Sequence, residues 1–457
     1  MPSMDRPPDI DILDFVERDD WEGVHRVLAE VHPADIADTI DRAPHEARLR
    51  LFSMLADDVK PAVLAELESV AEADVLEALS PSEISDIVEE MAPDDAADVL
   101  AELPEEQSAE VLGLMADEES SDVRKLLEYE EDTAGGIMTT DVVSMREDQS
   151  VQEALAAIAY LDTRETFYQA HIVDAGSRLV GYVDVWDLLR ERNKARRLGE
   201  LVHRDVISVE VGADQEDMAK LLIKYDLDVI PVIDETGRLL GRITSDDVID
   251  VVEEEASEDI FRLAGSDDAE LENPSAWKSC AVRLPWLMIT LFGGFVTSLI
   301  LKQYLDHLPD GMLLLTSFIP IVLAMGGSAG IQSSTLVVRR IALGSMNRRE
   351  AVRVILREIA TGAMMGIVSG ILIGAWAHLI SGGETSAVNM QFAVIVGLAL
   401  FAGMTFAAVF GAFVPVALHR IRIDPAVASG PFITSANDVA AALIYFGVTI
   451  LLVRWVG

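Results

Sequence analysis

Polar and apolar positions run through the first part of the chain in short helical units. Leu79-Ser-Pro-Ser-Glu-Ile-Ser-Asp-Ile-Val-Glu-Glu-Met91 is followed by Met91-Ala-Pro-Asp-Asp-Ala-Ala-Asp-Val-Leu-Ala-Glu-Leu103, and a third unit ends at Met115, a period of twelve. Ile84, Ile87, Val88 and Met91 form one apolar stripe at helical spacing. Pro81, Pro93 and Pro104 fall near the first turn of each unit, where a missing N–H costs little. Acidic residues follow them, well placed against the positive end of a helix. Helices of two or three turns do not persist alone. The pattern therefore predicts an all-α, superhelical stack over residues 1–130.

Near residue 137 the rhythm shortens to β-branched runs alternating with helical stretches. His171-Ile-Val-Asp-Ala-Gly-Ser-Arg-Leu-Val-Gly-Tyr-Val-Asp-Val-Trp-Asp-Leu-Leu189 recurs as Pro231-Val-Ile-Asp-Glu-Thr-Gly-Arg-Leu-Leu-Gly-Arg-Ile-Thr-Ser-Asp-Asp-Val-Ile249, an offset of 60. Each copy predicts strand, polar turn, strand and a helix with an acidic start. Asp141-Val-Val-Ser-Met and Asp205-Val-Ile-Ser-Val repeat as well. The tandem resembles a pair of cystathionine-β-synthase-type (CBS) modules, α/β regulatory units placed here at residues 131–200 and 201–256. That resemblance implies pairing within the chain and adenine nucleotide as a ligand. A purely structural tandem accounts for the same residues.

A helix rich in carboxylates leaves the second module, and residues 257–283 are assigned to a connecting helix. At about 100° per residue, Asp247, Asp250, Glu254 and Glu258 share one face, with Glu255 and Asp259 beside it. Like charges three and four apart weaken a helix by a few tenths of a kcal/mol per pair. A divalent cation or a basic partner would relieve them; a solvated linker is the plainer reading. Asp94 and Asp98 share a face in the first domain, with the same two readings.

Residues 284–457 carry five apolar runs of membrane-spanning length, at Leu284–Tyr304, Met312–Val338, Val352–Ile380, Phe392–Leu418 and Ala426–Val453. Arg339, Arg340, Arg348 and Arg349 follow the second run, and His419, Arg420 and Arg422 the fourth. The stretches after the first and third hold no Lys or Arg. The positive-inside rule then predicts a cell-membrane protein with cytoplasmic N-terminal domains and an external C-terminus. The first fifteen residues show no cleavable leader. In the second run, Pro320 and Met325-Gly-Gly-Ser-Ala-Gly330 suit either close packing or a bent helix lining a polar path. Glu358, near the cytoplasmic end of the third, is read as pairing or snorkelling.

Charge sharpens this division. Residues 1–283 hold 71 Asp and Glu against 25 Lys and Arg, and the remainder 7 against 10, so the two parts carry −46 and +3. So acidic a surface argues against nucleic-acid binding and attracts cations, although solubility or a salty cytoplasm also explains much of it. Cys280 is the sole cysteine, which excludes an intramolecular disulfide or a cysteine metal cluster. No nucleophile–base pair, phosphate loop or zinc motif points to an enzyme.

The informative charge is Asp438, the one carboxylate deep in an apolar run. A charged side chain at mid-bilayer costs about 2.5 kcal/mol or more unless water, a cation or a partner meets it. No Lys or Arg lies deep in any run to do so. A permeating cation is the favoured reading. Gly430, Thr434 and Asp438 stand at i, i+4 and i+8 on one face, offering oxygens to a hydrated hard cation such as magnesium. An unbroken helix from Asp424 sets Asp438 about 20 Å in. Asp424-Pro425 reads as an N-cap followed by proline.

Taken together, Tyr129-Glu-Glu-Asp-Thr-Ala-Gly-Gly-Ile-Met138, Gly326-Gly-Ser-Ala-Gly330 and Asp424-Pro-Ala-Val-Ala-Ser-Gly-Pro431 with Asp438 closely resemble the MgtE family of magnesium channels. The resemblance spans nearly the whole chain and implies a homodimer with one pore on its two-fold axis. Asp438 would select the ion, and the connector would act as a gating plug. Regulatory magnesium would bind at Asp94, Asp98, Gly136, Asp214, Ile223 (through its carbonyl), Asp226, Asp247, Asp250, Glu255, Glu258, Asp259 and Asp424. Ser328 stands where the family usually has asparagine, and Gly430 where an amide side chain can occur. Transport of manganese or cobalt, or a membrane-anchored sensor without transport, are the alternatives.

Overall fold

The computed structural model describes residues 12–161, 167–267, 270, 275–305, 310–342, 346–380, 386–428 and 430–456. The first eleven residues and most of the two loops without Lys or Arg fall outside them. Two compact units emerge, Met1–Glu253 and Glu254–Gly457.

In the first unit, short helices from Ile12–Glu17 to Asp117–Leu126 form the superhelical stack. Ile84, Ile87, Val88 and Met91 are all buried, as the twelve-residue stripe requires. Pro81 and Pro93 occupy first-turn positions, and Ser80 closes a capping box with Glu83. Pro104 instead sits one step earlier, as the N-cap.

Acidic residues crowd inside the stack. Burial pushes the Glu72 carboxyl up to about 7, with Glu102 and Asp98 adding to the rise. The folded chain then holds this proton more tightly than the unfolded chain. Its stabilising share is complete below the ordinary 4.5 and is lost as pH rises through about 7. Glu72→Gln is therefore expected to stabilise the protein at pH 8, by on the order of 1–2 kcal/mol without divalent ions, and not at pH 4. Calorimetric scans at the two pH values check this; equal gains at both would refute it.

The tandem modules are two three-stranded sheets of identical order, β1-β2-β3 and β4-β5-β6. In the first, β1 (Ser144–Arg146) runs parallel to β2 (Gln169–Val173), which is antiparallel to β3 (Leu179–Asp184). The second repeats this with β4 (Val209–Glu210), β5 (Val229–Ile233) and β6 (Leu239–Thr244). The polar turns meet reciprocally: Leu179 N–H donates to the Gly237 carbonyl and Leu239 N–H to the Ser177 carbonyl. One asymmetry has consequences. The helix after β3 stops at Arg190, whereas its counterpart runs unbroken over Ser245–Ala264. The connector is thus the overgrown last helix of the second module, and a boundary at 256/257 falls inside it.

Among its described residues the second unit holds five helices long and apolar enough to cross a membrane. The first runs Ala276–Leu305, eight residues earlier than its apolar run suggests, because its opening turns carry Lys278 and Arg283. The second is an α-helix over Ile319–Ala342, preceded by a 3₁₀ segment, Asp310–Phe318. Pro320 therefore lies in the first turn. The helix stays unbroken through Gly326–Gly330, so these glycines serve packing rather than a bend. The third, Arg348–Ile380, and fourth, Ser386–Arg420, meet along Gly362, Gly366, Gly370 and Gly374. A Cβ on Gly370 would lie 2.6 Å from the Gly397 carbonyl, and one on Gly374 2.8 Å from that of Ala393. This close-approach stripe is visible in the sequence at four-residue spacing, yet apolarity alone does not flag it. Glu358 does not snorkel: it is buried and accepts a hydrogen bond from Ser333 Oγ at 2.7 Å.

Candidate ion pathway and regulatory carboxylates

The fifth span, Gly430–Val456, starts after a 3₁₀ turn, Pro425–Ala428. Asp424 opens that turn, its Oδ1 accepting from Ala426 N–H at 2.8 Å, as an aspartate before proline should. Because the turn interrupts the helix, Asp438 lies eight residues into the span, about 12 Å along its axis, not 20 Å from an unbroken start. Gly430, Thr434 and Asp438 do share one face of this helix. Thr434 Oγ1 donates to the Gly430 carbonyl at 2.7 Å, so those two groups hold each other. Asp438 is half-buried.

The end of the connector closes the start of this helix. Arg262 Nη1 lies 2.5 Å from Asp424 Oδ2, and the same guanidinium pairs with Glu258 one turn earlier. A single side-chain cation thus bridges Glu258 and Asp424, both implied metal ligands. The backbones are equally close. A Cβ on Gly430 would stand 2.6 Å from the Leu263 carbonyl, and one on Gly265, whose φ is +73°, 2.9 Å from Pro431 Cγ. Sequence reading did not single out Arg262; a lone arginine in an acidic helix was the available signal. Glu255 and Asp259 lie on the same helix.

In the first unit, the start of the connector and the helix Pro93–Ala101 bring carboxylates together. Asp95, an exposed residue, is pushed up to about 6, first by desolvation, then by Asp247, Glu66, Asp246 and Asp250. Burial also raises Asp247, against hydrogen bonds from the Thr244 N–H and hydroxyl that lower it. Burial, Asp246 and Glu253 raise Asp250. Asp95 thus feels the charge of three carboxylates at the start of the connector. Asp94, beside it, is buried, and Asp98 acts on Glu72.

At the junction, Gly136 is packed so tightly that a Cβ would meet the Glu130 and Glu131 carbonyls at 2.6 and 2.7 Å. Thr133 pairs with Asp214 in an antiparallel bridge, which brings Gly136 towards Asp214. Asp214 already caps the helix Gln215–Tyr225, accepting from Glu216 N–H at 3.0 Å and Asp217 N–H at 3.2 Å. Ile223 and Asp226 lie at the other end of that helix, about 16 Å away. There the Ile223 carbonyl accepts from Asp226 N–H, and Asp226 is left-handed at φ 54°. Asp214 and the Ile223–Asp226 pair therefore belong to separate places.

Among the described residues, the group of three with metal-holding spacing is Asp184, Asp187 and His203, within 4.8 Å of one another. Asp187 and His203 pair at 3.3 Å. They border an open groove of about 510 Å³ that Arg190, Glu191, Arg192 and Glu200 also line.

Comparison with known proteins decides the family. Residues 31–132 match the MgtE intracellular N domain, 134–194 and 198–254 match CBS domains, and 319–448 match MgtE, described as a divalent cation transporter. The Magnesium transporter MgtE of Bacillus subtilis (strain 168) is 32% identical over 423 residues, covering 92% of both chains. The chain belongs to the MgtE family. The MgtE protein of Enterococcus faecalis (strain ATCC 700802 / V583) is 37% identical over 333 residues, 72% of this chain and 70% of the relative. Among solved structures, the cytosolic domain of the Mg2+ channel MgtE in complex with ATP shares 33% identity and a TM-score of 0.49, covering 53% of this chain and 99% of that one. The soluble part of a magnesium transporter gives 32% and 0.47, over 54% and 96%.

Proposed function

We propose that this MgtE-family chain forms a magnesium channel that cytosolic magnesium closes. The observation carrying the reading is Asp438, on one face of the fifth span with Thr434 and Gly430, below a helix start covered by the connector. Magnesium dehydrates reluctantly, so a carboxylate touching its water shell, flanked by hydroxyl and carbonyl oxygens, suits it. Two such chains, related by a two-fold axis in the bilayer, would supply two Asp438 carboxylates. The N-terminal domains would face the cytoplasm and the C-terminus the outside.

Closure is a charge argument. Burial, with Asp246, Asp247 and Asp250, raises the ionisation cost of Asp95, and burial with Asp246 raises that of Asp247 and Asp250; a divalent ion drawn between these hard oxygens would relieve it. Magnesium bound there stabilises the arrangement in which the carboxylates are close. It shifts the gate only because separation destroys the site. Asp214 with Gly136, and Ile223 with Asp226, would bind further ions. An adenine nucleotide is the ligand we assign to the groove beside His203, whose Arg190 and Arg192 suit phosphates.

Uptake of magnesium into proteoliposomes under an applied potential, with no coupling ion present, tests the channel. Uptake of manganese or cobalt alone would move the selectivity, and no uptake of any divalent ion would favour a membrane-anchored sensor.

The Arg262 bridge should add a weak, magnesium-independent bias of the connector toward the pore entrance, too small to close the channel alone. This ion pair is roughly one-third exposed, so it is worth about 1 kcal/mol. Arg262→Gln is expected to raise flux about fivefold at nominally zero internal magnesium. Unchanged flux would remove Arg262 from gating.

A further inference from the structure

Next to Asp438 sits a polar side chain that no part of the proposed function uses. Asn437 is only 1% exposed, among apolar residues of the membrane unit. Its Nδ2 donates to the Gly326 carbonyl of the second span at 3.2 Å, while its Oδ1 is buried with no hydrogen-bond partner. A half-satisfied amide is costly in such surroundings, so its one bond must matter. Gly326 lies inside a continuous helix, so its carbonyl accepts from a side chain 111 residues away.

The neighbouring contacts show what the bond adds. A Cβ on Gly326 would lie 3.7 Å from Ala441 Cβ, and one on Gly327 3.6 Å from Thr434 Cγ2. These are ordinary van der Waals contacts, which permit the fifth span to roll. At Gly330 the fit is different: a Cβ would fall 2.1 Å from Asn437 Nδ2 and 3.3 Å from its Cγ. The amide therefore lies in the notch of a missing side chain and is fixed there by a directional hydrogen bond. Residue 438 follows 437 by about 100° around the helix, so the angle that seats Asn437 also aims Asp438.

We propose that Asn437 is a positioning residue which, keyed into Gly326 and Gly330, sets the direction of the Asp438 carboxylate and thereby ion discrimination. This rests on the reading of Asp438 as the ion-selecting group. Distance to a hydrated ion distinguishes magnesium from other divalents, and a helix free to roll blurs that distance.

The experiment measures magnesium and manganese uptake in proteoliposomes for the parent, Asn437→Leu, Asn437→Ala, Gly330→Ala, the Gly330→Ala/Asn437→Ala double variant and Asp438→Ala. Asn437→Leu keeps the volume and removes the donor. It is expected to elute and melt as the parent does, while the magnesium-to-manganese uptake ratio falls about tenfold and half-saturating magnesium rises. Gly330→Ala should reproduce this from the other side of the contact by expelling the amide. The double variant should be no worse than Asn437→Ala, because both changes break one interaction. An unchanged ratio in Asn437→Leu overturns the proposal. Should that variant fail to reconstitute, additive effects of Gly330→Ala and Asn437→Ala overturn it instead. If Asp438→Ala carries magnesium as the parent does, the reading of Asp438 fails. If Asp438→Ala is inactive while the Asn437 variants discriminate normally, the positioning role alone is lost.

Discussion

Asp438→Ala is expected to lower magnesium uptake by about two orders of magnitude or more, without unfolding the protein. A divalent ion leaving water for an apolar bundle needs a counter-charge, and the fifth span offers one carboxylate. Withdrawing it would forfeit several kcal/mol of stabilisation of the passing ion, and each 1.4 kcal/mol is about tenfold in rate. The stability effect has the opposite sign. A carboxylate at membrane depth costs about 2.5–3.5 kcal/mol, so the alanine protein should melt no earlier than the parent in detergent. Flux and melting measured together are therefore decisive. Inactivity with retained stability supports the site; parental flux would end the pore assignment. Asp438→Asn should be similarly inactive, because shape survives and charge does not.

The second large effect concerns regulation. Asp247→Ala, Asp250→Ala and Glu255→Ala combined are expected to leave uptake that millimolar internal magnesium no longer suppresses. Burial, with repulsion from neighbouring carboxylates added to it, raises the ionisation cost of Asp95, Asp247 and Asp250 in the first unit. Removing connector carboxylates relieves that repulsion and deletes the ligands together. With those ligands gone, magnesium would no longer bind the closed arrangement more tightly than the open one, so it could not draw the cytosolic domains together. The triple variant should also lose most magnesium-dependent protection of the cytosolic domains against protease. Patch recording across a range of internal magnesium checks the main effect. Inhibition at the parental concentration would show that these carboxylates are merely a solvated face. Asp95→Asn provides a second route to the same loss.

These expectations stand unequally on the sequence. Asp438 was legible because a charge inside an apolar run violates a strong rule, and one violation in a span is conspicuous. The tandem modules were legible because a fold repeated at an offset of 60 exposes its own conserved spacing. Asp95 was not, since it is the second of two consecutive aspartates in a helix's first turn and only packing distinguishes it from Asp94. Arg262 was hidden for a related reason: its partner Asp424 is 162 residues away. Asn437 looked like any small polar residue beside a more interesting aspartate.

The sequence by itself determined the element types and their order: a stack of short helices, two α/β modules, an acidic helix and five spans. Periodicity and burial of apolar surface are local properties, and each segment declares its own. Tertiary structure decided which groups meet. It began the fifth-span helix only at Gly430, after a 3₁₀ turn, and so set Asp438 closer to the helix start. It extended the last module helix into the connector and parted Asp214 from Asp226 by the length of a helix. It also spent the second-span glycines on close packing instead of a bend. Such outcomes depend on directional hydrogen bonds and ion pairs between distant segments, whose partners no local pattern specifies.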